Sequence, residues 1–151
     1  MDKKKITLAE LIIIFFIIII FFSTIFVTYL DFTKNYKIRS TRENHLTIIS
    51  IIDGERENCL KGSKEWIWND KVSITCGSIF IDDQIDKFFN DIIKLKNPYD
   101  KGNAVFEVSS MSNTLSSGIN YIMLNEEKSR MKITTLLEYG GKLLETIKHF
   151  K

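Results

Sequence analysis

Residues Ile6 to Leu30 read ITLAELIIIFFIIIIFFSTIFVTYL, and this stretch sets the plan of the chain. From Leu11 to Phe22 every side chain is apolar. As a helix, roughly 25 residues extend about 37 Å at ~1.5 Å per residue. A hydrocarbon core is ~30 Å thick, so the segment is long enough to cross one. Glu10 is the exception: an ionised carboxylate in lipid is costly unless it has a partner. A basic tail, Met1 to Lys5 (MDKKK), precedes the segment. A tail of this kind also begins secretory signal peptides. Here the apolar run outlasts a normal signal core, and FSTIFVTYLD contains no small-residue cleavage site, so the segment is expected to stay as an anchor.

The charges place the chain in no nucleic-acid class. Lys and Arg total 21 against 19 Asp and Glu. Without the three Lys and one Asp of residues 1–5, the remainder is neutral. Lys3, Lys4 and Lys5 favour an inside tail, while Lys34, Lys37, Arg39 and Arg42 pull the other way. The cysteines decide the expectation. Cys59 and Cys76 are the only two, and one pair suits a bridge in an oxidising compartment outside the membrane. Two thiols so far apart, without paired Cys or His, make a poor zinc site.

Beyond Leu30 neither Pro nor Gly occurs until Gly54. The reading is one helix from Ile6 to about Asp53, ~70 Å by its rise; two helices broken near Asp31 are the alternative. Its second half is amphipathic, with Phe32, Tyr36, Leu46, Ile49 and Ile52 on one face, widened by Ile48 and Ile51. His45 and His149 are expected as polar surface histidines. Trp66 and Trp68 share a strand face, as core or as an exposed contact surface. Strands are expected over 71–75, 78–81, 104–109, 118–125 and 130–139. A second helix, capped by Asp82 or Asp83, carries Ile85, Phe88, Phe89, Ile92 and Ile93 and ends at Asn97-Pro98. Asp82, Asp83, Asp86 and Asp91 lack the spacing of a calcium loop. Gly140-Gly141 suggests a two-residue hairpin turn, with 142–150 a strand or, alternatively, a short helix. The fold class is α+β: a long N-terminal helix on a small antiparallel sheet. Residues 1–5 form a leader, 6–30 the apolar half of the helix and 31–151 a globular domain.

No phosphate-binding glycine loop, nucleophile elbow or metal-binding helix motif occurs, so no enzyme chemistry and no cofactor are expected. Lys3-Lys4-Lys5-Ile6-Thr7-Leu8-Ala9-Glu10-Leu11-Ile12, however, resembles the processing region of type IV pilins and type II secretion pseudopilins. The family pattern is a basic leader followed by G-F-T-L-x-E-L; Thr7, Leu8, Glu10 and Leu11 match it. The resemblance implies cleavage after Lys5 by a prepilin peptidase and methylation of Ile6. It implies residence in the inner membrane with the domain outside, then packing with copies of itself or other pilins in an extracellular filament or periplasmic pseudopilus. In that state Glu10 pairs with the α-amine of a neighbouring Ile6. Three departures stand out. Lys5 replaces the family glycine, Val27 stands where many pilins carry Pro, and the cysteines fall earlier than the usual C-terminal pair. A bitopic anchored domain that binds or scaffolds a partner, neither processed nor polymerised, is the other reading.

Overall fold

The computed structural model describes residues 6–69, 72–76, 82–92, 95–100, 102, 105–108, 114–125, 130–138 and 140–149. The expected strand over 78–81, together with Lys5, lies outside them. The chain divides into two compact units, one ending at Tyr36 and one starting at Lys37.

The first unit is the beginning of helix α1 (Leu8–Leu60). Its apolar side chains from Leu8 to Phe32 are all exposed. The hydroxyls that dilute the run are satisfied within the helix. Ser23 Oγ donates to the Ile19 carbonyl at 2.7 Å, Thr24 Oγ1 to that of Phe21 at 2.8 Å, and Thr28 Oγ1 to that of Thr24 at 2.8 Å. Backbone-bonded hydroxyls of this kind cost little in lipid, where every polar group needs an internal partner.

The second unit contains the rest of α1, a two-stranded antiparallel sheet of β1 (Glu65–Asn69) and β2 (Val72–Thr75), helix α2 (Asp82–Ile92), and a four-stranded sheet. The latter consists of β3 (Phe106–Val108), β4 (Asn120–Leu124), β5 (Arg130–Leu136) and β6 (Leu143–His149), in spatial order β3-β4-β5-β6. The α+β plan with a long N-terminal helix is therefore present. The larger sheet is mixed: β4, β5 and β6 are antiparallel, while β3 runs parallel to β4. Parallel neighbours cannot be joined by a tight hairpin, and eleven residues separate Val108 from Asn120 in the sequence.

The helix passes Gly54 and ends at Leu60. Gly54 costs a helix interior only about 1 kcal/mol, which packing overrides. The actual stop is Gly62, at φ 103°. The Ser63 N–H bonds the Asn58 carbonyl at 3.0 Å and the Gly62 N–H that of Cys59 at 3.1 Å, a Schellman cap. A Cβ on Gly54 would meet nothing within 4 Å. Gly54→Ala is therefore expected to stabilise the domain by about 1 kcal/mol in urea denaturation.

The buried face of α1 also differs from the expected one. Thr41, Asn44, His45, Ile48, Ile52 and Glu55 are buried, whereas Phe32, Tyr36 and Leu46 are exposed. Ile48 and Ile52 join Ile74, Ile85, Ile122, Met131 and Ile133 in one core. A chain of rings crosses it. Trp66 meets Phe88 edge-on at 5.5 Å, Phe88 meets Phe89 at 5.4 Å, and Phe89 meets Phe106 at 5.6 Å. Trp66 is thus a core residue; the Trp68 side chain lies outside the described set. The rings join the small sheet, α2 and the large sheet.

Cys59, in the last turn of α1, is bonded to Cys76, just after β2. Their Cα atoms are 5.7 Å apart. Closing a loop of this length contributes roughly 3 kcal/mol on the chain-entropy model. Thiol labelling of the denatured, unreduced chain should find no free cysteine, and Cys76→Ser should lose about that stability. Six residues, 137–142, separate β5 from β6, where a two-residue turn was expected. The Leu137 N–H bonds the Lys142 carbonyl at 3.1 Å, and the Gly141 N–H bonds that of Glu138 at 2.9 Å. The last segment is a strand, not a helix.

Candidate functional site

Thr7 caps α1. Its carbonyl accepts the Leu11 N–H at 3.1 Å, and its Oγ1 accepts the Glu10 N–H at 3.3 Å. Glu10 reaches back: its Oε2 accepts the Thr7 N–H at 2.8 Å and the Thr7 hydroxyl at 2.9 Å. This reciprocal arrangement is a capping box, T-x-x-E directly before an apolar run. Glu10 is consequently not a lone acid. It occupies the first turn, where the free N–H groups and the helix dipole favour negative charge. The signal in the sequence is the Thr7–Glu10 spacing, T-x-x-E before an apolar run.

Ile6, Leu8 and Leu11, the other residues singled out at this end, are exposed and apolar. Glu10 is exposed too, and its Oε1 has no bond among the described residues. Among the described residues the site thus leaves one carboxylate oxygen open beside the exposed apolar Ile6, Leu8 and Leu11. Val27 lies inside α1. Among the described residues no group of three or more His, Cys, Asp or Glu could hold a metal. One described helix, α1, is long and apolar enough to cross a membrane.

A second polar constellation, missed in the sequence, lies within the domain. His45 is buried, not a surface residue. Its Nδ1 is 2.7 Å from Thr135 Oγ1 and its Nε2 is 3.0 Å from Thr146 Oγ1. Thr135 donates onward to Asn120 Oδ1 at 2.5 Å, and Asn120 Nδ2 donates to the Val105 carbonyl at 2.9 Å. Because the Thr135 hydroxyl hydrogen is used on Asn120, His45 Nδ1 carries the proton and Nε2 accepts from Thr146. The chain of bonds ties α1 to β6, β5, β4 and Val105, the residue before β3. A spacing of three to four from Thr41 through Asn44 and His45 to Ile48 and Ile52 was the available signal. Apolar periodicity alone cannot see it, because its first members are polar. His149 is exposed, as expected.

Burial holds the His45 imidazole below its ordinary value, partly offset by hydrogen bonding that involves Asn120. A depressed histidine contributes stability that is present above its unfolded value of 6.5 and lost as pH falls through the folded value. Glu55 works in the opposite sense: burial raises it, so its contribution is present below 4.5 and fades as pH rises through the raised value. Comparing wild type with His45→Gln cancels Glu55. The stability gap between them should shrink as pH falls from about 7.5 to about 5. A pH-independent gap would show that the imidazole takes up its proton equally in the folded and the unfolded chain, and would contradict the lowered value.

Comparison with protein-family models, with curated proteins and with solved structures finds no match for this chain.

Proposed function

We propose that this chain is a structural subunit of a type IV pilus- or pseudopilus-like filament. In this reading the first part of α1 anchors it in the inner membrane with the disulfide-bonded domain outside. A prepilin peptidase removes residues 1–5 and methylates Ile6, and the helix then packs with copies of itself or with other pilins. It is not an enzyme and uses no cofactor. The observation that supports this best is the end of α1: Thr7 and Glu10 open a fully exposed apolar helix that continues into an α+β domain. The open Oε1 of Glu10 suits the α-amine of a neighbouring Ile6. An ion pair so placed, buried among helices, fixes register more than it adds stability. The test is fractionation of the native host: sheared extracellular filaments or an isolated pseudopilus should contain the chain. Its confinement to the membrane would count against the proposal.

The capping box also favours a second reading. Thr7 already satisfies part of the Glu10 carboxylate, so the acid needs no neighbouring subunit to occupy a membrane helix. The chain would then be a bitopic protein whose outer domain binds or scaffolds a partner.

A further inference from the structure

β6 is the last strand of its sheet, and its outer edge has no partner among the described residues. The Leu137 N–H bond to the Lys142 carbonyl fixes how the strand alternates. Leu144, Thr146 and Lys148 turn their backbone groups toward β5; Leu143, Glu145, Ile147 and His149 turn theirs to the open edge. The same four residues have exposed side chains, Leu143 at 44% and Ile147 at 50%. Pairing with β5 runs in unbroken register from Leu143 to His149, without a bulge, and this span contains neither Pro nor Gly. Its charges are already tied down, Lys148 to Asp53 at 2.7 Å and Glu145 to Lys132 at 2.6 Å. The devices that normally protect an edge strand are therefore missing or occupied.

We propose that this edge pairs antiparallel with β6 of a second copy of the chain, with Ile147 on the two-fold axis. Side-chain chemistry selects the register. Centred on Glu145, two carboxylates would face each other, which is unfavourable. Centred on Thr146, each Glu145 would face an Ile147. Centred on Ile147, the two isoleucines face each other and each Glu145 faces a His149, acid against imidazole. In that register every outward backbone group from Glu145 to His149 finds a partner. Thr146 and Lys148 keep their bonds to His45 and Asp53 on the other face. A contact of this symmetry closes on itself and cannot propagate a filament. It belongs to the anchored chain and does not rest on the filament reading.

Among the described residues no cysteine is free, so a single introduced thiol reports on its own position. Full-length Ile147→Cys, Leu143→Cys and Leu60→Cys chains are treated in membranes with a mild oxidant and resolved unreduced. Monomer labelling with a maleimide first checks that all three thiols are accessible. Ile147→Cys should dimerise faster than the other two by roughly a hundredfold, the low end of what fixed proximity gains over encounter. Co-expressed Glu145→Cys and His149→Cys should cross-link to each other. Equal rates at 143 and 147, no dimer at 147, or capture of a different protein at 147 would each overturn the proposal.

Discussion

Replacing Phe88 by Ala should destabilise the domain by about 3–5 kcal/mol, the range for deleting a fully buried phenylalanine. Phe88 has no exposed surface. It lies between Trp66 and Phe89 with edge contacts to both. Truncation removes its transfer free energy and leaves a cavity where three elements meet. The Cys59–Cys76 bond and α1 limit how far the walls can close in. Since domains are stable by about 5–15 kcal/mol, the loss is a large share of the total. Urea denaturation of the detergent-solubilised chain, followed by tryptophan fluorescence, measures it. Leu46→Ala, on the exposed side of α1, is the control and should stay within about 0.5 kcal/mol. Equal effects at the two positions would contradict the packing described for α2.

The second large effect concerns Glu10, and two substitutions separate its two possible jobs. Glu10→Gln keeps a side chain able to complete the capping box but removes the charge. Glu10→Ala removes both. Neither should harm membrane insertion, because a carboxylate costs ~2.5–3.5 kcal/mol at mid-bilayer and less near an interface. If Glu10 pairs with a neighbouring α-amine in a filament, both variants leave a buried charge unpaired, at about 3–5 kcal/mol per junction. Both should then fall out of the filament fraction while staying in the membrane. If the box is the whole role, Gln should behave as wild type and Ala should show only a weakened helix start, of the order of 1 kcal/mol. Incorporation of Glu10→Gln at the wild-type level would remove the pairing idea.

The elements most legible in the sequence were those with strong local chemistry. The unbroken apolar run and the 85–89 pattern are helical as expected. The strands expected from residue type over 118–125 and 130–139 are present as β4 and the shorter β5, which ends at Leu136; Tyr139 lies outside the described residues. The cysteine pair was legible because two cysteines admit one bridge. What was not legible depended on distant partners. The orientation of β3 is set by pairing with β4, not by its own three residues. The buried stripe of α1 begins with Thr41, Asn44 and His45; His45 is held by Thr135 and Thr146 at 2.7 and 3.0 Å, and Asn44 by the Lys96 carbonyl at 3.1 Å. The helix end was misplaced because Gly54 and Gly62 look alike in a sequence; only Gly62 has the left-handed backbone that closes a cap. Hydropathy alone makes Glu10 an outlier, whereas its partner, Thr7, lies three residues upstream.

Processing followed by assembly leaves its mark on the mature N-terminus. Intact-mass and N-terminal peptide analysis of the chain from its native host, from membranes and any filament fraction, reads it without a substitution. A processed subunit should begin at Ile6 with a methylated α-amine. A chain found only with MDKKK still attached would contradict processing and leave the anchored, unpolymerised domain as the reading.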